Sequence, residues 1–271
     1  MRLRRWCVRK RLGGWNVPRI VETGRVPRRT VYHWWSRFQR KGWGGLVDQS
    51  RRPHRIHRLQ ESTIRQVIQL REMHGWCGEA IAAHLQRNGI QVSNGSVYKI
   101  LRENCLTVKA YASRKQRTYI RWQRSHPDSL WQTDIKYYGN RYLVAFLDDC
   151  SRYVPEAALL YNATTDRILH LLEKALNHGR APHQILSDHG TQFYSDDGPS
   201  QFTTFCEANG IQHIMASIGK PTTQGKIKRF FRTFKLYYPR FNNIPEFLNH
   251  YNHVKPHRSL NFLTPAEVYF Q

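Results

Sequence analysis

The sequence predicts an α/β protein in which a mixed sheet with flanking helices follows two all-α units. Charge is the first observation: the chain has 271 residues and a net charge of +24, and residues 1–127 carry 28 basic and 6 acidic side chains against 15 and 13 in residues 128–271. Periodicity is the second, because apolar residues recur at helical spacing before Pro127 and at strand spacing after it. The two parts therefore differ in structure and in the partners they suit.

The basic first part predicts a polyanionic partner. A composition of 40% hydrophobic and 13% aromatic residues excludes a disordered basic tail. Lys and Arg side chains placed on phosphates release counterions, so we expect salt-dependent binding to nucleic acid. Five scattered cysteines predict reduced thiols and a cytoplasmic, nucleoid-associated protein. No apolar run approaches ~20 residues, so we expect no signal peptide and no membrane partner.

The first helical unit, residues 1–52, reads as a helix-turn-helix. Asn16 can cap a short helix that Gly24 stops, and after a turn a second helix runs to Arg40. Its apolar face comprises Val31, Trp34, Trp35 and Phe38. Its outer face carries the candidate DNA contacts Arg28, Arg29, His33 and Arg37. A recognition helix in the major groove fits this pattern, and a plain helical hairpin with a solvated basic face is the alternative.

A second, winged-type helix-turn-helix is predicted for residues 53–108. Ile64, Val67 and Ile68 mark one helix, a second runs from Glu79 to Asn88, and Ser93 can cap a third. The third helix contributes Ser96 and Lys99 as candidate DNA contacts. Two adjacent readers can bind a longer site than one.

The basic linker, residues 109–127, interleaves cations with aromatic residues. Its candidate DNA contacts are Arg114, Lys115 and Arg117. A solvated linker is the alternative, but the aromatics favour contacts that follow a nucleic-acid backbone with base or sugar stacking.

The near-neutral part, residues 128–271, predicts the element order βββαβαβα. The predicted strands are Trp131–Tyr137, Tyr142–Leu147, Tyr153–Leu160, Gln184–Ser187 and Ile211–Ala216. The predicted helices are Thr165–His178, Ser200–Ala208 and Thr222–Leu236. Three sequential strands imply an antiparallel start, and the whole order implies a mixed sheet covered by helices. Alternation in the first strand places Asp134 on the face opposite its main apolar set.

Four motifs in this part resemble the integrase core of DDE transposases and retroviral integrases. They are Trp131–Asp134, Phe146–Tyr153, Ser187–Phe193 and Gly225–Phe230. The segment Tyr251–Glu267 and the doubled helix-turn-helix are similar to insertion-sequence transposases, so the resemblance covers essentially the whole chain. It implies an RNase H-like core with a C-terminal helical segment, a Mg²⁺ or Mn²⁺ cofactor, and phosphoryl transfer on DNA ends.

The resemblance also implies three acidic residues. Phosphodiester attack is aided by two metal ions, and hard divalent cations need anionic oxygens. The first two acidic positions match Asp134 and Asp188, which we take as catalytic and metal-binding candidates. The third matches Lys228, and the family's common interval after the second Asp falls on Gln224. No Asp or Glu occurs between Glu207 and Glu246, so we expect weak or lost metal binding.

The helix of Lys228 carries a polar stripe that continues to Arg232, a further candidate DNA contact. His250, His253 and His257 have metal-like spacing, but Pro256 interrupts the helix there and we expect no zinc.

The sequence is compatible with three functions. The first is a transposase or integrase that binds element ends and target DNA as a homo-oligomer and is catalytically impaired at Lys228. The second is a non-catalytic binder of DNA ends, either a competitor or a degenerate transposase copy. The third, a sequence-independent packaging protein, explains the charge but not the placement of Asp134 and Asp188.

Overall fold

The computed structural model describes residues 2–48, 59–107, 123–178, 180–216 and 224–271. The chain divides into two compact units, Met1–Leu59 and Gln60–Gln271. Within the described residues, no helix is long and apolar enough to cross a membrane.

The first unit is a bundle of three helices. They are α1 (Arg2–Leu12), α2 (Val17–Gly24) and α3 (Arg28–Lys41), and a 3-10 turn follows at Gly42–Leu46. Its core comprises Cys7, Val17, Ile20, Val26 and Val31. The sequence patterns did not predict α1, because only Cys7 and Val8 of its 11 residues are buried and the rest gives no apolar period.

Both ends of α2 follow from local chemistry. Asn16 caps it as predicted, since its side chain accepts a hydrogen bond of 3.1 Å from the backbone of Arg19. Gly24 is the last helical residue, and the left-handed conformation belongs to Arg25, with φ of 48°. Gly24 serves close packing instead, because a Cβ there would lie 2.7 Å from the Trp6 ring.

The second unit begins with three more helices: α4 (Glu61–His74), α5 (Gly78–Arg87) and α6 (Asn94–Glu103). Ser93 caps α6 as predicted and accepts a hydrogen bond of 3.1 Å from the backbone of Ser96. Apolar side chains from all three helices are buried: Val67, Ile81, Leu85, Val97 and Leu101.

A five-stranded mixed sheet forms the centre of the second unit. Its strands are β1 (Trp131–Tyr138), β2 (Arg141–Asp148), β3 (Glu156–Leu160), β4 (Gln184–Ser187) and β5 (Gln212–Met215), in the order β3-β2-β1-β4-β5. The first three strands pair antiparallel, β4 is parallel to β1, and β5 is parallel to β4. The predicted fold class, a mixed sheet with flanking helices after helical domains, is confirmed.

Helices cover both faces of the sheet. On one face α7 (Thr165–Leu176) and α8 (Gln201–Ala208) pack on a core that includes Trp131, Phe146 and Ile168. On the other, α9 (Gly225–Tyr237) and α10 (Ile244–Asn249) pack on a core that includes Ala145, Phe230 and Phe247. A short helix, α11 (Pro265–Tyr269), ends the described chain.

The third strand starts at Glu156 and not at Tyr153. The Asp148 carboxylate accepts hydrogen bonds of 2.6 and 2.7 Å from the backbone and hydroxyl of Ser151, which closes a turn directly after β2. Arg152 takes a left-handed conformation in this turn, with φ of 66°. Side-chain chemistry therefore overrides the apolar run that suggested a longer strand.

The start of the second unit packs against its C-terminal segment. Arg87 forms an ion pair with Glu267, and Arg258 lies 3.3 Å from Glu79. A ring nitrogen of His74 lies 3.3 Å from one of His250. The second predicted helix-turn-helix and the sheet thus belong to one compact unit.

Candidate active site and nucleic-acid interface

Parallel pairing of β1 with β4 brings Asp134 and Asp188 together. Gln132 is opposite Leu186 in the register, and each aspartate lies two residues further along its strand direction. Adjacent strands are about 4.8 Å apart, and residues two apart share a face. Both carboxylates therefore lie side by side on neighbouring strands and on the same face of the sheet.

Burial and mutual charge shape the electrostatics of this pair. Asp134 is 8% exposed. Burial, and then the nearby charge of Asp188, raise the pKa of Asp134 to about 6, although a 2.9 Å hydrogen bond from the backbone of Ile135 acts in the other direction. Asp188 is half-buried and accepts a 3.1 Å hydrogen bond from the backbone of Gly190. The site thus places one buried and one half-buried acidic side chain close together.

Helix α9 lies along β1 on the face that carries Asp134. The backbone of Ile227 donates to the Gln132 side chain over 3.3 Å, and the Gln224 amide donates to the Thr133 carbonyl over 3.4 Å. Further along, the rings of Tyr138 and Phe234 are 5.3 Å apart. These contacts fix the helix in register with the strand.

The positive charge of Lys228 on α9 acts on Asp134. Its side chain is exposed, and its positive charge lowers the pKa of Asp134 against the effect of burial. Within the described residues its ammonium forms no ion pair with either aspartate. A cation that acts at a distance therefore stands where the sequence resemblance implies a carboxylate.

A buried ion pair supports the start of α9. The Lys226 ammonium lies 2.5 Å from Oδ1 of Asp149, a side chain with no exposure. The same carboxylate accepts hydrogen bonds of 2.8 Å from the Gln132 amide and from the backbone of Arg124. Asp149 therefore anchors the helix, the first strand and the segment before the sheet.

Sequence reasoning left Gln132 and Lys226 unassigned, although both lie inside quoted motifs. One feature of the sequence could have indicated the role of Gln132: a polar residue on the helix-covered side of a buried strand needs a hydrogen-bond partner. The partners lie 17 and 95 residues away in the chain, so the pairing itself is tertiary information.

The donor set does not fit a pair of magnesium ions. Among the described residues, no group of three His, Cys, Asp or Glu side chains converges on one point. Asp134 and Asp188 supply anionic oxygens, whereas Lys228 adds positive charge, and hard divalent cations need anionic or carbonyl oxygens. The side chains described at this site therefore do not match the ligands of a two-metal centre.

The candidate DNA contacts of the first unit lie on α3. Arg28, Arg29 and His33 are exposed on this helix. Arg37 is half-buried, and its guanidinium donates to the carbonyl of Val47 over 2.6 Å. Three of the four predicted contacts therefore face solvent, while the fourth also ties α3 to the segment that follows it.

In the second unit the candidates are less uniform. The Ser96 hydroxyl lies 2.9 Å from the hydroxyl of Ser93, so it takes part in the helix cap. Lys99 is exposed and lies 3.9 Å from Glu103, one turn along α6. Arg232 is exposed on α9. Three further candidates lie outside the described residues: Arg114, Lys115 and Arg117.

Comparisons with known families agree with this architecture. The integrase core domain family matches residues 124–221, and a second integrase core domain family matches residues 209–265. The chain carries an integrase core domain. A helix-turn-helix domain family matches residues 3–54, and a homeodomain-like domain family matches residues 30–101. The resemblance inferred from the four motifs is thus confirmed.

Three curated relatives of this chain come from three different organisms. The K02A2.6 protein of Caenorhabditis elegans is 28% identical over 55% of this chain and 12% of its own length. An insertion element IS476 protein of 39.2 kDa from Xanthomonas euvesicatoria is 25% identical over 65% and 55%. The transposase of transposon Tn552 from Staphylococcus aureus is 23% identical over 82% and 52%. The chain thus spans 55% or less of the length of each of the three relatives.

Among solved structures, the HTLV-2 integrase catalytic core domain in complex with magnesium is similar at 22% identity. The overlay covers 54% of this chain and 98% of that chain, with a TM-score of 0.40.

Proposed function

We propose that this chain is a transposase-type DNA-binding protein whose integrase core holds DNA but has lost efficient metal-dependent cleavage. The observation that carries the proposal is the placement of Asp134 and Asp188 on neighbouring strands, with the positive charge of Lys228 on α9 acting on Asp134. Helix α9 contains no Asp or Glu. Asp134 and Asp188 keep the anionic oxygens that metal binding in an integrase core requires. Lys228 adds a positive charge that opposes metal binding.

Binding is proposed to begin with the helix-turn-helix units. Arg28, Arg29 and His33 project from α3 into solvent, in the arrangement that a recognition helix needs to reach base edges and phosphates in the major groove. The excess of 28 basic over 6 acidic residues in positions 1–127 supplies the sequence-independent attraction to phosphate. We expect element ends as ligands and a homo-oligomer on the DNA.

Coulomb's law gives the order of magnitude of the expected loss in metal-binding free energy. A unit charge 4 Å from a divalent ion, at an effective dielectric constant of 20, contributes about 8 kcal/mol, attractive for a carboxylate and repulsive for an ammonium. Solvent screening reduces both values for an exposed side chain such as Lys228. Even a small remaining fraction is sufficient to lower metal occupancy by orders of magnitude, because each 1.4 kcal/mol is a factor of ten.

The test compares the unmodified chain with Lys228→Glu. Mg²⁺ and Mn²⁺ binding is measured by calorimetry, and cleavage is measured on duplexes from the flanks of the chain's own gene. We expect little binding or cleavage from the unmodified chain and a gain of metal binding in the variant. The pKa of Asp134 is about 6 with Lys228 in place and rises when Glu replaces that cation, so the gained metal affinity should fall as the pH drops toward this raised pKa.

Two controls isolate the position. Lys235→Glu makes the same charge change at an exposed residue two turns further along α9 and should not restore binding. Adding Asp188→Asn to Lys228→Glu should remove the gain, because the two aspartates act as a unit. Strong metal-dependent cleavage by the unmodified chain, abolished by Asp188→Asn, would show an active enzyme with a different third ligand.

A further inference from the structure

A hydrogen-bond network between β4, β5 and α8 adjoins Asp188. The His213 ring on β5 has one nitrogen, Nε2, 2.8 Å from the Ser187 hydroxyl on β4. Its other nitrogen, Nδ1, lies 2.8 Å from the Thr203 hydroxyl on α8. Together with Ser200, which precedes α8, these residues form what we call the His213 network: Ser187, Ser200, Thr203 and His213. The candidate DNA contacts and the aspartate pair include none of them.

The two ends of the His213 network bind backbone carbonyls. Ser187 donates to the carbonyl of Asp188 over 3.0 Å. Ser200, the N-cap of α8, donates to the carbonyl of Phe193 over 2.7 Å. The Ser200 oxygen also accepts a hydrogen bond of 3.1 Å from the backbone of Thr203. One network therefore holds both ends of the loop between these two carbonyl groups, and that loop begins with the second aspartate of the pair.

The contacts of the His213 ring assign its proton. Burial lowers the pKa of His213 to about 4, so at neutral pH the ring is uncharged and carries one N–H. The Ser187 hydroxyl uses its single proton on the Asp188 carbonyl, so its oxygen accepts a hydrogen bond from Nε2 of the ring. Nδ1 is then the unprotonated nitrogen and accepts a hydrogen bond from the Thr203 hydroxyl. The network therefore requires the tautomer with the proton on Nε2.

Buried packing holds the ring in this position. The rings of His213 and Phe202 are 4.9 Å apart, and the rings of Phe202 and Phe193 are 5.0 Å apart. Ser187, Phe193 and Phe202 have no exposure, so a lost hydrogen bond at Ser187 is not readily replaced by water. The Met215 sulfur, 3.5 Å from the Ser187 oxygen, is an alternative acceptor for its proton. Without the imidazole, Ser187 is therefore free to release the Asp188 carbonyl.

The orientation of the Asp188 carboxylate depends on the loop that the network holds. Its Oδ1 accepts a hydrogen bond of 3.1 Å from the backbone of Gly190. A Cβ at Gly190 would lie 3.1 Å from the same oxygen, so the loop passes close to the carboxylate. The backbone of Phe193 in turn donates to the Gly190 carbonyl over 2.8 Å. A shift at either end of the loop therefore moves the donor that orients the carboxylate.

We propose that His213 is a positioning residue for the aspartate pair: it acts through Ser187 and fixes the loop that orients the Asp188 carboxylate beside Asp134. Thr203 and Ser200 hold the ring and the far end of the same loop. The inference rests on the proposed function, because the aspartate pair is the site that the network supports. It adds a residue of β5 to the set on which that site depends.

The tautomer of His213 in the unmodified full chain is the first test. Long-range proton–nitrogen correlation spectra distinguish the two neutral forms of an imidazole, and comparison with the His213→Gln chain identifies the signals. At neutral pH we expect the proton on Nε2. A proton on Nδ1 would overturn the inference, since the Ser187 hydroxyl would then donate to the ring and not to the Asp188 carbonyl.

Three substitutions separate positioning from overall stability. His213→Leu removes both nitrogens, His213→Gln keeps a donor near the position of Nε2, and His213→Asn keeps an acceptor near that of Nδ1. Hydrogen exchange of the Gly190 amide is compared with that of the β2 amides. Relative to β2, we expect about tenfold faster exchange at Gly190 in the Leu and Asn variants and little change in the Gln variant.

The matched control is Cys206→Ala, which removes a buried thiol of α8 outside the network. This change should lower the stability of the second unit and leave the ratio of Gly190 exchange to β2 exchange unaltered. Equal acceleration of Gly190 and β2 in all three His213 variants would show a purely structural residue and would overturn the inference.

Metal binding connects the network to the proposed function. Adding His213→Leu to Lys228→Glu should lower the gained metal affinity about tenfold, whereas adding His213→Gln should preserve it. An unchanged affinity after His213→Leu would overturn the inference. If Lys228→Glu gains no metal affinity, the proposed function fails, while the tautomer and the exchange of Gly190 still decide the role of His213.

Discussion

Replacing Lys226 by Met tests how the integrase core holds α9 in place. The side chain is 18% exposed and its ammonium lies 2.5 Å from an Asp149 oxygen that has no exposure. It also donates to the Asp149 carbonyl over 3.1 Å. Removing one partner of a buried ion pair costs about 3–5 kcal/mol, because the remaining charge stays buried without compensation.

The structure places the expected cost near the lower limit. After the substitution, Asp149 keeps two hydrogen bonds of 2.8 Å, from the Gln132 amide and from the backbone of Arg124. We therefore expect a loss of about 3 kcal/mol in the free energy of unfolding of the second unit. With a urea dependence of about 2–3 kcal/mol per molar, the midpoint falls by about 1–1.5 M.

Hydrogen exchange at increasing urea concentrations measures this loss separately in each compact unit. Peptides from α9 report on the second unit, and peptides from α3 should show no change. Lys235→Met removes an exposed ammonium from the same helix and should cost less than about 1 kcal/mol. Adding Asp149→Asn to Lys226→Met should recover part of the loss, since the unpaired charge of Asp149 is then removed. A loss below about 1 kcal/mol for Lys226→Met alone would refute the reasoning.

Two further predictions concern DNA binding and pH. Arg29→Ala should weaken binding to a sequence selected from random duplexes about 10- to 100-fold more than it weakens binding to unrelated DNA. Arg40→Ala is the control. An equal loss of affinity on all sequences would show that Arg29 contacts phosphate and not bases. Burial lowers the pKa of His250 from 6.5 to about 4, and the charges of His74, Lys255 and Arg240 add to this effect. His250 should therefore make the second unit less stable at acidic pH. The unfolded chain binds the proton below pH 6.5 and the folded chain only near 4, so stability is complete above pH 6.5 and falls as the pH drops through this window. Between pH 7.5 and 5 the contribution of His250 is about 2 kcal/mol. Urea unfolding of His250→Gln beside the unmodified chain isolates it from the opposite effect of Asp134, and identical pH dependence in the two proteins would contradict the assignment.

Local chemistry in the sequence determined the elements. The caps at Asn16 and Ser93 depend on one side chain and a backbone amide three residues later, so their effect is complete within a helical turn. Alternation in β1 and the apolar run of β2 likewise require only neighbours in the chain. The order of strands and helices, and with it the fold class, could therefore be predicted. The roles of Asp134, Asp188 and Lys228 stay predictions.

Residues distant in the chain decided the remainder. Helix α1 has only two buried residues, and one of them, Cys7, joins a core supplied largely by α2 and α3, which no local period indicates. The start of β3 depends on the hydrogen bonds of Asp148.

At the site, the sequence by itself determined that two aspartates follow a strand pattern and that a lysine occupies the third position. Only the tertiary structure decided what these residues do to one another. Parallel pairing of β1 with β4 makes Asp134 and Asp188 neighbours across 54 residues of chain. Burial under α9 then raises the pKa of Asp134, and Lys228 partly opposes that rise. The physical reason is that Coulomb and desolvation energies depend on distances and exposure in space, which are fixed when the sheet pairs and the helix packs.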